Sequence, residues 1–340
     1  MTTDLTRYVN LRYGVDNEGN TVIGPQRPNA SANPAPDTKG GQHSGCFSGN
    51  DNRLIHMTGG RAMFTLAMIQ MRVDFHQPEA NLNRAAHLVA QAAADGAQLC
   101  ILPECMDLGW GTPEALQLAQ PIPGTVSQRL CQIARENGVW LVSGLTEKVG
   151  DRVYNAALLI SDQGEILLHH RKINVLTGVE DVYAIGDRLS VADTPFGRIG
   201  IDICADNAVQ SLSVGHTLAR MGAQMILSPC AWAVPPQREE GLPYGQEWHV
   251  PYGHLSSLYG IYVVGVSNVG QVTCGSWQGW KAIGNSIAYG PDGKALAVLP
   301  YGEDAQCVRL IQLQPNPAAQ QGTALAERIY QQLTGTFIQP

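Results

Sequence analysis

Short apolar runs alternate with helix-period segments from Phe64 to Leu299, and this rhythm restricts the chain to layered α/β architectures. Phe64–Met71 (FTLAMIQM) is the first run. Pro78 then opens a segment that places Leu82, Ala85, Ala86, Val89 and Ala93 on one helical face, with Gly96 in the position of a helix stop. Gln98–Leu102 reads as the next strand. A helix follows over Val126–Asn137, stopped by Gly138, and then a strand over Val139–Leu145. Arg152–Ser161 and Glu165–His170 flank Asp162-Gln163-Gly164, a hairpin signature. Arg198–Ile203 is a strand, Ser211–Met221 a helix stopped by Gly222, and Gln224–Ser228 a strand. Ile261–Ser267, Ile283–Tyr289 and Ala295–Leu299 complete the set. Strands joined both through helices and through hairpins predict a mixed sheet.

In folds of this kind reactive side chains gather just beyond the carboxyl ends of strands. Glu104, Lys172 and Cys204 each occupy such a position. A cysteine in an apolar setting is more often an inert core residue, and a carboxylate after a strand is often a solvated loop residue. Taken singly, Lys172 reads as a surface lysine. Brought together, the three have a chemistry. A free thiol needs a base or a positive charge to become a nucleophile. A desolvated carboxylate rises toward neutral pKa and can take and return protons. An ammonium beside a reacting carbonyl stabilises the oxyanion.

Composition narrows the classes. At 340 residues, 44% apolar and 15% charged, the chain is long enough for a substantial core and too apolar for disorder. Net charge is 22 − 29 = −7, with the two signs interspersed, so no basic face for nucleic acid is expected. No apolar run approaches the roughly 20 residues of a membrane span, and MTTDLTRYVN lacks the pattern of a secretory signal. Eight scattered cysteines without a CxxC pair suit a reduced, cytoplasmic protein rather than a disulfide scaffold or a zinc ribbon. His169-His170 is a poor metal pair, because neighbours on a strand point to opposite faces. No P-loop, GxGxxG, HExxH or GxSxG pattern occurs, so neither a metal nor a cofactor is expected.

The order Glu104, Lys172, Cys204, in the settings LPE, HRK and GIDICAD, resembles the nitrilase superfamily of carbon–nitrogen hydrolases. Gln70 in the first strand, Gly186-Asp187, and Gly284-x-Ser286 ahead of Pro291-Asp292-Gly293 support the resemblance, which runs from about Phe64 to Leu313. It implies a four-layer αββα sandwich that forms a homodimer or a higher homo-oligomer. It also implies a second glutamate between the lysine and the cysteine. Glu180 matches best, with adjacent Asp181 as the alternative. On this footing residues 1–57 are a Gly/Pro/Asn-rich extension, 58–315 the hydrolase domain, and 316–340 a tail suited to an oligomer arm. Within the tail, TALAERIYQQL looks helical.

The activity so implied is hydrolysis of a small-molecule amide through a Cys204 thioester, with the Ala205 backbone N–H helping to hold the oxyanion. Tyr183 and Trp232 are candidates for the pocket wall, ordinary packing being as good a reading for Trp232. His249 is an alternative base. Amidase chemistry competes with a true nitrilase and with a catalytically silent assembly protein on the same fold. Relatives that take nitriles place Trp-Glu directly after the nucleophile, and those that take N-carbamoyl amino acids place an arginine there. This chain has Ala205-Asp206-Asn207. An anionic substrate would face Asp206 without a partner unless an arginine such as Arg238 reaches in. A neutral or cationic amide is therefore expected.

Overall fold

A computed structural model describes residues 62–238 and 244–316, together with Gly14–Val15, Thr21–Val22 and Ile329. The chain divides between His56 and Met57 into two units. In the first, β1 (Gly14–Val15) pairs antiparallel with β2 (Thr21–Val22). The expected extension and tail otherwise lie outside the described residues.

The second unit begins with β3 (Phe64–Gln70), α1 (Pro78–Ala94), β4 (Leu99–Ile101), α2 (Ala115–Leu118) and α3 (Thr125–Asn137). A meander of β5 (Trp140–Val149), β6 (Arg152–Ile160) and β7 (Ile166–Arg171) follows. Next come β8 (Val191–Thr194), β9 (Gly197–Ile201), α4 (Ser213–Arg220), β10 (Met225–Cys230), β11 (Ala233–Val234) and α5 (Gln246–Tyr259). The last elements are β12 (Tyr262–Ser267), β13 (Val269–Gln271), β14 (Lys281–Ile283), β15 (Ile287–Tyr289), β16 (Ala295–Val298) and β17 (Cys307–Leu313).

Two six-stranded sheets carry the fold, in the orders β17-β3-β4-β5-β6-β7 and β16-β15-β12-β10-β9-β8. Each is parallel at its centre (β3-β4-β5; β9-β10-β12) and antiparallel toward its edges. Strand alternation builds the layers. On β3, Phe64, Leu66 and Met68 join the core that includes Ile199, Ile201 and Val264 of the other sheet. The intervening Ala67 and Ile69 face Leu82, Ala85 and Val89 of α1 and Leu130 and Ile133 of α3. Helices α4 and α5 cover the outer face of the second sheet through Val214, Leu218 and Leu255. The result is the αββα sandwich the resemblance implied. No helix among the described residues is long and apolar enough to cross a membrane.

The helix limits follow local chemistry. Pro78 fills the first helical position of α1, where its missing N–H costs nothing, and Gly96 lies just past its end at φ 94°. The α3 start is closed by Ser127, whose hydroxyl accepts from Gly124 N and donates to Gly124 O. The structure differs from the sequence expectation in several places. Ile283–Tyr289 is not one strand but β14 and β15, split by Gly284 (φ 62°) and Asn285 (φ 57°). Helix α5 was hidden by Pro251 within it. Edge strands β8 and β17 lack a continuous apolar run, because edge positions are half exposed.

Candidate active site

Glu104 sits where β4 ends and the chain turns sharply, with Cys105 in the left-handed region at φ 42°. The turn lies against β5 so closely that a Cβ on Gly144 would stand 2.6 Å from the Glu104 Cα, so only glycine fits there. Lys172 follows β7, its N–H donating to Asn155 O at 2.8 Å. Gly186 N donates to Lys172 O, and a Cβ on Gly186 would collide with the Arg171 carbonyl. Glu180 is held in the loop after Lys172, its Oε2 accepting from Leu176 N at 2.7 Å.

These three side chains meet. Lys172 Nζ donates to Glu104 Oε1 at 2.9 Å and to Glu180 Oε1 at 2.7 Å, and all three are buried. Asn155 Nδ2 donates to Glu104 Oε1 at 2.6 Å, and Trp110 Nε1 donates to Glu180 Oε1. Asp181 stands outside this cluster, exposed, with its Oδ1 accepting from Gly178 N. One lysine thus faces two carboxylates. Burial pushes the Glu104 carboxyl above its ordinary range, opposed by the Lys172 charge and reinforced by Glu180. For Lys172, burial pulls downward, but the charges of Glu104 and Glu180 outweigh it and raise the ammonium well above its usual value. Glu104 Oε2 is buried and has no hydrogen-bond partner among the described residues.

Cys204 opens a 3₁₀ turn, Cys204–Asn207, directly after β9. Its φ of 46° is unusual for a residue with a side chain and costs about 1–3 kcal/mol. The backbone N–H donates to Ser228 Oγ at 3.1 Å. Contact with the Cys230 thiol, burial and the Glu104 charge raise the Cys204 thiol well above its ordinary value, against the pull of Lys172. The thiol lies within electrostatic reach of both Glu104 and Lys172. Ala205 is the second residue of the turn and is buried.

Asp206 does not face a ligand, which corrects the expectation that it would repel an anionic substrate. It is fully buried and its oxygens are taken up internally. Oδ2 accepts from Ile203 N at 3.1 Å and meets His170 Nε2 at 2.9 Å. Oδ1 accepts from Asn174 N and Nδ2, both at 2.8 Å. Burial alone would raise this carboxyl, but the hydrogen bonds and charge of His170 and those of Asn174 hold it below the ordinary range. Its function is to tie the cysteine turn to the segment after Lys172.

Each of the remaining candidates has its own partners. Tyr183 is buried, and its hydroxyl oxygen accepts from Gly111 N at 2.9 Å, so it braces the loop that carries Trp110. Trp232 is buried and stacks on Trp248 at 5.1 Å, with its Nε1 lacking a partner among the described residues. Ring atom Nδ1 of His249 meets the Tyr289 hydroxyl at 2.7 Å. Arg238 lies over the Tyr244 ring. His169 and His170 point apart as expected, toward Glu147 and Asp206 respectively. Gln70 and Ser286 form one unit, with Ser286 Oγ donating to Gln70 Oε1 at 2.8 Å and joining the two sheets. Asn155 and Trp110 were missed from sequence. A lone Asn within VYNAALLI was the available signal for the first.

The fold and this cluster define a class, and comparison with known proteins agrees. Residues 65–319 match the carbon–nitrogen hydrolase family, and the chain belongs to it. A nitrilase of Pyrococcus abyssi is 30% identical over 256 residues, covering 74% of this chain and 90% of that protein. An omega-amidase of Xenopus tropicalis is 32% identical over 181 residues, or 50% of this chain. That match spans 64% of the omega-amidase's length. Among solved structures, an amidase from Nesterenkonia sp. superposes with a TM-score of 0.64 at 23% identity, covering 78% of this chain and 96% of that one. Nit3 of Saccharomyces cerevisiae gives 0.64 at 21% identity, covering 82% and 96%. The structural likeness confirms the fold of the nitrilase superfamily.

Proposed function

We propose that this protein hydrolyses the C–N bond of a small amide through a Cys204 thioester, releasing ammonia or an amine. The observation that carries the reading is Oε2 of buried Glu104, a proton acceptor beside a lysine and a thiol with no hydrogen-bond partner among the described residues. Such an oxygen is costly unless it has a use. Glu104 takes the Cys204 proton as the sulfur attacks the carbonyl carbon. Lys172 Nζ and the Ala205 N–H hold the oxyanion that forms. Glu104 then returns the proton to the nitrogen, the C–N bond breaks, and the amine leaves. A water attacks the thioester, giving its proton to Glu104, with Glu180 as the alternative acceptor. The C–S bond breaks, and the proton on Glu104 restores the Cys204 thiol. Glu180 also positions Lys172, since it binds the same ammonium and is itself held by Leu176 N and Trp110.

The residues after the nucleophile favour an amide over a nitrile or an N-carbamoyl amino acid, since neither the Trp-Glu pair nor the arginine is present. With Asp206 turned inward, the sign of the substrate's charge is left to other residues. The test is kcat/KM for matched amide, nitrile and N-carbamoyl substrates of similar size, followed by ammonia release. The amide is expected to lead by tenfold or more. A nitrile leading by that margin would make the protein a nitrilase, and no turnover of any of them would favour a silent scaffold.

A further inference from the structure

Three loops converge at a second cluster that the amide chemistry does not use. His76, after β3, is held in the left-handed region at φ 58° while its N–H donates to Leu108 O at 3.1 Å. Its Nε2 faces the Glu114 carboxylate, at 3.0 Å from Oε2, and the Cys274 sulfur at 3.7 Å. The Thr112 hydroxyl also lies against Nε2 and is 3.2 Å from Cys274 Sγ. The nitrogen, oxygen and sulfur of His76, Glu114 and Cys274 all lie within 4.8 Å of one another.

A neutral imidazole nitrogen can give or take one hydrogen bond, yet this one meets three polar atoms. A single cation at their centre would engage the whole set. Bond lengths of about 2.0–2.3 Å to zinc place neighbouring tetrahedral ligands roughly 3.3–3.8 Å apart. The spacings of 3.0 and 3.7 Å from Nε2 need little adjustment to reach that range. One imidazole, one carboxylate and one thiolate form a borderline-soft set. Magnesium and calcium demand six or more oxygens and are disfavoured. The His76 and Glu114 side chains are 34% and 53% exposed, so an ion can enter from solvent.

We propose that His76, Glu114 and Cys274 form a binding site for one zinc-class divalent cation, with the Thr112 hydroxyl or a water as fourth ligand. On binding, the Cys274 thiol loses its proton to solvent and the sulfur coordinates as thiolate. The ion clasps the loop after β13 to the loop before α2. Those loops form one wall of the active centre. Trp277, three residues beyond Cys274, packs on Trp110 with ring centroids 4.7 Å apart, and Trp110 donates to Glu180. Sequence spacing could not reveal the site, because its ligands come from three distant segments.

The test uses the full chain carrying Cys204→Ala, so that the nucleophile cannot itself ligate the probe. After chelator treatment and dialysis the protein is titrated with Co²⁺. The expected result is saturation at one equivalent with a thiolate-to-cobalt charge-transfer band and tetrahedral d–d bands, all displaced by Zn²⁺. Adding Cys274→Ser should remove the charge-transfer band, and His76→Gln should weaken binding at least tenfold. Glu114→Gln, at an exposed position that leaves the fold undisturbed, should also weaken binding at least tenfold with an unchanged circular dichroism spectrum. Cys307→Ser should change nothing. Absence of a charge-transfer band, or its survival in the Cys274→Ser protein, overturns the proposal, and so does unchanged affinity in Glu114→Gln. These readouts do not depend on turnover, so they stand or fall apart from the amidase reading.

Discussion

Replacing Lys172 with methionine tests the charge arrangement of the site directly. The substitution keeps the length of the side chain and removes its charge, leaving Glu104 and Glu180 buried together without their shared cation. Breaking a buried ion pair from one side costs about 3–5 kcal/mol. For a domain of this size that corresponds to a Tm loss of roughly 6–20 °C, at about 2–4 °C per kcal/mol. The pH dependence distinguishes this cause from simple misfit. Burial raises the Glu104 carboxyl, and Lys172 is the chief force holding it down. A carboxyl whose folded pKa is raised adds stability below its unfolded value of about 4.3, and that stability is lost as pH rises through the folded pKa. Without Lys172 the folded pKa climbs further, so the penalty is larger at neutral pH and shrinks in mild acid. The assay is thermal unfolding of wild type and Lys172→Met at pH 7.5 and pH 5. The Tm gap should narrow by a third or more at the lower pH. Adding Glu180→Gln should recover part of the loss at pH 7.5 while kcat stays depressed by at least about 10²-fold. An equal gap at both pH values, with no recovery in the double variant, would refute the electrostatic account.

Cys204→Ala should abolish turnover without altering the fold, as read by ammonia release and circular dichroism. In limited alkylation followed by mass spectrometry, Cys204, 7% exposed, should react before Cys230 and Cys100, which are fully buried. Burial also pushes the Cys100 thiol up to about 12. Glu180→Gln should lower kcat by several orders of magnitude while Asp181→Asn stays within about threefold, and the reverse outcome in steady-state kinetics would move the role to Asp181. Asp206→Asn should cost about 1–3 kcal/mol in denaturant unfolding. Because the Asp206 pKa is lowered, its contribution is present above the ordinary carboxylate range and lost as pH falls through the folded value, so the variant's deficit should vanish in acid.

The sandwich was legible because its central strands are short uninterrupted apolar runs, and its helices begin and end at Pro78, Gly96 and Gly138. Glu104, Lys172 and Cys204 were legible for the same reason, since each is the polar residue that follows such a run. What sequence concealed depends on pairing. Asn155 reaches Glu104 only because β6 lies between β5 and β7, a fact of register. Cys230 neighbours Cys204 because β9 and β10 run in parallel with Ile201 opposite Leu227, so the next three residues travel together. The role of Asp206 was misjudged because its partners are His170 on β7 of the other sheet and Asn174 in the segment after Lys172. Proximity to the nucleophile along the chain says little about which way a side chain turns.

That bridge has a kinetic meaning. Glu104 and Lys172 follow β4 and β7 of one sheet, whereas the Cys204 sulfur follows β9 of the other, and the links across include Asp206 to His170 and Asn174, and Glu104 N to Cys230 O. During synthesis, residues 64–172 leave the ribosome before Cys204, and they carry Glu104 and Lys172 without the thiol. Neither half alone holds all three side chains. On the proposed amidase reading, chemistry begins only when the two sheets dock, so the return of activity in a refolding experiment should clock that docking and lag the return of secondary structure.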